Sequence, residues 1–292
     1  MAKVVFVILH YLGIEDTLEC INSIQENIEY NNYEVVIVDN ASSNGSGKKL
    51  ESIFDGQRNI YILQNNQNEG FAKGNNLGYK FAKETLSADF IIVINNDTLI
   101  LDKDFISKVV SYYNQNKYYI LGPRIISTKD NLNQNPLSNI MRTKKDVIYN
   151  IIKYRLLYIL NIIKVEGIYK TLKPKLRKEV TESLSKDNEN CIENIPLHGA
   201  CLIFSPLFLE KNNNAFYPHT FLFVEEDILY YMCVKNNYKL IYYPFATIYH
   251  KEDSSTDLLL NTPNKKRKFI YKNIEKSSRI FLKLMLFKER ED

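Results

Sequence analysis

The sequence predicts an α/β fold in which a mostly parallel central sheet carries helices on both faces. Two observations support this. Short apolar runs alternate along the chain with segments whose apolar residues recur at helical spacing. The runs are also continuous and do not alternate with polar residues, as expected of strands covered on both sides.

The first run, residues 4–9, reads VVFVIL, and Leu18, Ile21, Ile24 and Ile28 then mark a helix. Residues 35–38 (VVIV) are the second strand, followed by a Ser/Asn/Gly loop, a short helix at 48–54 and a strand at 60–63. A helix over 72–83, a strand over 90–94 and a helix over 104–114 complete the regular part. The pattern breaks after Gly122 and Pro123. Residues 131–194 are polar and basic, with Ile148, Ile152, Leu156, Ile159 and Ile163 at helical spacing, and they read as an insertion. A strand is expected at 200–204, a helix at 225–236, two short strands at 240–244 and 246–250, and a basic helix from Pro263 onward.

Composition narrows the class. Hydrophobic residues make up 45% of the 292 and charged residues 25%, the balance of a folded globular chain. A net charge of +4 is too small to argue for nucleic acid. Basic residues instead crowd into 144–177 and 265–290. The four cysteines, Cys20, Cys191, Cys201 and Cys233, form no CxxC pair and read as reduced thiols. The start of the chain shows no secretory pattern, and no stretch approaches the roughly 18 apolar residues of a bilayer span, so a cytoplasmic protein is expected.

Four polar clusters follow strands, where such sheets bind ligands. Asp39, Asn40 and Ser42 open the first; its acid suits a pyrimidine base or ribose, and an Asx turn is the plainer alternative. Asn68, Gly70, Gly74 and Asn75 lie at a Gly-rich helix start that leaves backbone N–H groups facing a ligand. Asn95, Asn96 and Asp97 directly follow an apolar strand, a place for oxygen ligands to a hard cation or for a turn. Glu225, Glu226 and Asp227 repel one another, which raises a carboxyl toward a general base while also favouring a helix N-terminus.

In this order, with Gly199-Ala200, Pro244 and a closing His250, the clusters resemble the inverting family 2 glycosyltransferases of the GT-A fold. The likeness is nearest to the bacterial rhamnosyl- and galactosyltransferase-like group that builds surface polysaccharides, and it covers about residues 3–126 and 197–256. One departure is Asn95, which stands where many members have Asp.

The resemblance implies a nucleotide-sugar-binding half over 1–126, a helical insertion over 127–196 and an acceptor and catalytic half over 197–256. A C-terminal amphipathic basic helix occupies 257–292. It implies Mn²⁺ or Mg²⁺ held by Asp97 and His250, and a UDP- or dTDP-sugar donor bound by Asp39, Asn40, Ser42, Asn68, Gly70, Gly74, Asn75, Asn95 and Asn96. Glu226 is the expected base, or Asp227 if the literal Glu226-Asp227 pair is the motif, with Glu225 beside them. A glycan or lipid-linked acceptor is expected, and no nucleic acid. Competing classes are a nucleotidyltransferase, whose N-terminal Gly-rich segment with Arg and Lys is missing, and an inactive nucleotide-sugar-binding protein. The two basic stretches suit either an anionic membrane at the inner face of the cell membrane or packing on the catalytic domain or a second copy of the chain.

Overall fold

The computed structural model describes residues 1–165, 189–252 and 262–287. The rest of the expected insertion, with its basic residues through Arg177, lies outside the described residues, as do 253–261 and 288–292 of the C-terminal region.

Among the described residues nine strands form one sheet: β1 (Val4–His10), β2 (Tyr33–Asp39), β3 (Ile60–Gln64), β4 (Phe90–Asn95), β5 (Thr98–Leu99), β6 (Ile120–Ser127), β7 (Ile192–Glu193), β8 (Cys201–Phe204) and β9 (Leu240–His250). Their order is β3-β2-β1-β4-β8-β6-β9-β5, with β7 on β9. The half β3-β2-β1-β4 is wholly parallel, whereas β8 runs antiparallel to both of its neighbours. The sheet is therefore mixed, with its parallel pairs concentrated where the sequence shows strand–helix alternation.

The helices are α1 (Ile14–Asn27), α2 (Ser46–Phe54), α3 (Gly70–Lys80), α4 (Phe105–Gln115), α5 (Lys144–Ile162), α6 (Pro206–Lys211), α7 (Glu225–Lys235) and α8 (Pro263–Leu286). Alternate residues of β1 face opposite ways. Val4, Phe6 and Ile8 pack with Ile21 and Ile24 of α1 and Phe105 of α4, while Val5 and Val7 pack with Ala72 and Tyr79 of α3 and Leu229 of α7. None of these β1 side chains is more than 1% exposed, and each such burial stabilises the fold by roughly 1.5–3 kcal/mol. A third cluster joins Val147 of α5, Ile228 of α7 and Phe281, Leu284 and Met285 of α8.

Two expectations are corrected. Residues 120–127 form a central strand, although their pattern is broken by Gly122 and Pro123. The two short strands expected after residue 240 are one strand, β9. Its register on β6 jumps from Pro123↔Tyr243 to Arg124↔Thr247, so Pro244, Phe245 and Ala246 bulge out of the ladder. A proline is tolerated there because no ladder bond needs its missing N–H.

Candidate active site

The carboxyl ends of β1, β2 and β4 lie level: His10 pairs with Asp39, and Leu9 with Asn95. The chain leaves these ends through tight loops in which Leu12 (φ 63°) and Ala41 (φ 59°) adopt the left-handed conformation. Phe223 (φ 69°) and Val224 (φ 75°) do the same just before α7. Non-glycine residues held this way are strained, and such strain gathers at functional sites.

Asp39 is 5% exposed, and its Oδ1 accepts the Ser42 N–H at 3.2 Å. Ser42 Oγ in turn accepts the Leu12 N–H at 2.9 Å, tying the β1 and β2 loops together. A Cβ on Gly47 would fall 2.0 Å from Asp39 Oδ2, so α2 approaches this carboxylate through a glycine.

Several residues assigned to the donor from sequence are engaged by the protein itself. Asn40 donates to Asn68 Oδ1 (3.0 Å) and Gly70 O (3.2 Å), and it accepts from Asn65 (2.9 Å) and the Glu69 N–H (3.0 Å). Its amide is filled by holding the loop before α3. Asn96 Nδ2 donates to Thr17 Oγ1 at 3.0 Å and so fixes the start of α1. Gly74 admits Leu9, whose Cδ1 would be 2.5 Å from an added Cβ, and Gly70 (φ +80°) admits the carbonyl of Phe221 at 2.1 Å. The two glycines thus allow close packing within the chain itself. They have a purpose, since Phe71 N–H bonds Phe221 O (2.7 Å) and Asn76 bonds Phe216 in both directions, which docks the loop before α7 onto α3. Asn75 keeps a buried Oδ1 without a hydrogen-bond partner among the described residues.

The metal candidates come together through a strand of two residues. Thr98 pairs with His250 in the β5–β9 ladder, which brings His250 Nε2 to 3.3 Å from Asp97 Oδ1. Sequence gave no signal for the third member, Gln134. Its Nε2 donates to Glu252 Oε1 (2.5 Å), a carboxylate oxygen that only accepts, so its Oε1 faces His250 Nδ1 (2.8 Å) and receives that proton. His250 Nε2 then faces the Asp97 carboxylate, and a proton or a cation between the two atoms satisfies both.

A divalent ion fits this pair. Two donors about 2.1 Å from a six-coordinate ion at right angles lie roughly 3 Å apart. Among the described residues no group of three or more His, Cys, Asp or Glu side chains gathers at one point, so these two are the acid and histidine donors that the pair offers to an ion.

The three acids of α7 point in three directions, because consecutive helical residues are about 100° apart. Glu225 is buried, burial and then the Glu226 charge push its carboxyl up to about 8, and its Oε1 has no hydrogen-bond partner among the described residues. Asp227 accepts the Met141 N–H at 2.5 Å, and burial raises it to about 7. Glu226 lies against Gly199, where an added Cβ would be 2.6 Å from Oε1, and burial raises its carboxyl as well.

Gly199 leads to Ala200, whose carbonyl accepts the Asn95 N–H at 2.9 Å. Before it, His198 sets its ring 5.7 Å from that of His250. Burial, then repulsion from His250, lowers His198 to about 4, and its Nδ1 accepts the Ala200 N–H, so it is neutral at pH 7. Of the three acids, Glu226 is the one whose neighbours run through Gly199 and His198 to Asp97 and His250.

A mixed sheet with polar clusters at its strand ends is the architecture of the GT-A glycosyltransferase fold. Residues 5–170 match Glycosyl transferase family 2, and the chain belongs to that family. It is similar to the low-salt glycan biosynthesis hexosyltransferase Agl10 of Haloferax volcanii, 28% identical over 32% of this chain and 29% of that protein. It is also similar to the dTDP-rhamnosyl transferase RfbF of Shigella flexneri, 29% identical over 43% of this chain and 40% of that protein. These matches span less than half the length of either relative.

Among solved structures, S. aureus TarS 1-349 in complex with UDP superposes with a TM-score of 0.54 at 12% identity, covering 92% of this chain and 65% of that one. GalNAc-T7 with UDP, GalNAc and Mn²⁺ gives 0.57 at 13%, covering 86% and 44%. At these identities the superpositions speak for the fold.

Proposed function

We propose that this chain transfers a sugar from a UDP- or dTDP-linked donor to a hydroxyl of a glycan or lipid-linked acceptor, with inversion at the anomeric carbon. The observation that carries the reading is the junction of two chemistries at the ends of β4, β8 and β9. The Asp97–His250 pair, 3.3 Å apart, meets Glu226 through Gly199 and His198.

In this reading Asp39 receives the base or ribose at the end of β2, and Asn95, Asp97 and His250 face the diphosphate. A bound Mn²⁺ or Mg²⁺ supplies charge neutralisation for the departing nucleotide diphosphate. Asp97 contributes a single negative charge to such an ion, so donor and metal are expected to bind together. Glu226 takes the proton of the acceptor hydroxyl as its oxygen bonds to the anomeric carbon, and the carbon–diphosphate bond breaks on the opposite face. The raised Glu226 carboxyl is a stronger base than an ordinary glutamate. Asp227, held by Met141, and Glu225, buried away from Gly199, shape the helix start. Support for the donor class comes from the relative named as a dTDP-rhamnosyl transferase and from the fold neighbours solved with UDP.

Thermal shift with UDP- and dTDP-sugars tests this, with and without Mn²⁺. A nucleotide that stabilises the protein only when the metal is present supports the reading, because ligand binding raises stability by mass action. Absence of any shift with every nucleotide would remove the donor assignment.

A further inference from the structure

One surface of the protein is unlike the rest. On α5 the side chains of Ile148, Ile152, Leu156, Ile159, Ile162 and Ile163 are between 43% and 62% exposed. At 3.6 residues per turn they fill an arc of about 120°. The opposite side of the helix, with Val147, Leu157 and Asn161, is buried. Scattered apolar residues on a surface are ordinary, but a continuous helical arc of six branched aliphatic side chains is not.

Beside it, α8 shows the complementary pattern. Its inner residues Phe281, Leu284 and Met285 pack with Val147 and Ile228, while Lys265, Lys268, Lys272, Lys276, Arg279 and Lys283 recur every three or four residues on its exposed face. The two stripes meet at a groove of about 310 Å³ lined by Arg155, Tyr158 and Ile159 of α5 and Lys272, Glu275 and Lys276 of α8. Together α5 and α8 hold twelve basic and two acidic residues in a chain whose net charge is +4, so the remainder of the protein is net negative. A second copy of this face would bring the same positive charge against it. A bilayer rich in anionic lipid brings hydrocarbon for the aliphatic arc and phosphates for the lysines.

We propose that α5 and α8 form a docking surface for an anionic lipid bilayer, with the α5 arc entering the interface and the basic face of α8 meeting lipid phosphates. This surface is backed by α7, whose Ile228 packs on Phe281. If the transferase reading holds, on which this consequence rests, docking brings the helix that carries Glu226 to the membrane and so favours a lipid-linked acceptor.

Vesicle sedimentation of the full chain tests the surface without donor or acceptor. Two vesicle types are compared: phosphatidylcholine alone, and phosphatidylcholine with roughly one-third phosphatidylglycerol. The protein is expected to sediment with the anionic vesicles at low salt and to be released at high salt. The exposed-site pair Ile152→Glu/Ile159→Glu and the set Lys268→Glu/Lys272→Glu/Lys276→Glu should each weaken this by roughly tenfold or more. Both should leave the melting temperature and UDP binding unchanged. Equal indifference to both vesicle types would overturn the proposal, and so would an Ile152→Glu/Ile159→Glu protein that sediments like the wild type. A solution dimer that this pair dissociates would overturn it in favour of self-association. Loss of vesicle binding with sugar transfer intact, or the reverse, separates this inference from the transferase reading.

Discussion

Gly199 and Glu226 are fitted to each other: a Cβ on residue 199 would fall 2.6 Å from Glu226 Oε1. The atom in the way is the far end of a flexible side chain, so Gly199→Ala should fold normally and move the carboxylate. Sugar transfer should fall by up to ~10²-fold, the scale of an ångström misplacement of a reacting group, with nucleotide affinity unchanged. Steady-state kinetics alongside nucleotide titration reads both; an unaffected rate would show that the contact has no bearing on catalysis.

Asp227→Asn separates the two carboxylates that sequence leaves in competition. Its main contact is the Met141 N–H, which the amide oxygen of Asn also accepts, and burial disfavours the charge that is removed, so denaturant unfolding near pH 7 should show no loss of stability. Turnover of the folded protein should change little. Loss of turnover without loss of stability would transfer the base role to Asp227.

Gln134→Leu removes the acceptor that fixes His250 Nδ1–H and thereby the Nε2 lone pair. Mn²⁺ affinity in the presence of UDP should fall 10–100-fold, the usual effect of losing a group that orients a metal-ligating histidine. Titration of Mn²⁺ followed by electron paramagnetic resonance measures this without reference to turnover. An unchanged affinity would take His250 out of the metal site.

Stability should depend on pH through Glu225. Its folded carboxyl is pushed up to about 8 from an ordinary value of 4.5, so between these pH values the folded chain binds more protons than the unfolded one. Stability must then fall as pH rises through that window, and Asp227, raised to about 7, adds to the slope. Glu225→Gln should flatten the melting-temperature profile between pH 5 and 8, and should raise its alkaline end, as roughly expected when a buried charge is removed. A profile as steep as that of the wild type would place the titration elsewhere.

Much of the parallel half was legible because β1, β2 and β4 are apolar on both faces and α1 and α3 carry clear periodicity. The mixed half, where β6 runs parallel to β9 but antiparallel to β8, was not. β6 contains Gly122 and Pro123, whose close contacts with Asn135 and whose bulge against β9 depend on residues distant in sequence. Asp97 and His250 were picked out as types of residue, but their meeting depends on a two-residue strand too short to show a period. Gln134 lay in a polar segment without a motif, and its role is visible only once Glu252 and His250 are seen on either side of it. The amides of Asn40 and Asn96 look alike to a sequence reader whether they bind a ligand or the chain; here Asn40 holds the loop before α3 and Asn96 the first turn of α1. The left-handed Phe223 and Val224 carry no sequence signal at all, since neither is a residue that prefers that conformation.

The proposed role of Glu226 as base beside a metal-held donor is tested most directly by turnover of Glu226→Gln with Mn²⁺ and the preferred nucleotide sugar. Donor affinity should stay within a factor of about two of the wild type while sugar transfer falls by roughly 10²–10⁴-fold, the usual contribution of a general base. Transfer by Glu226→Gln at the wild-type rate, with donor and Mn²⁺ bound, would contradict it.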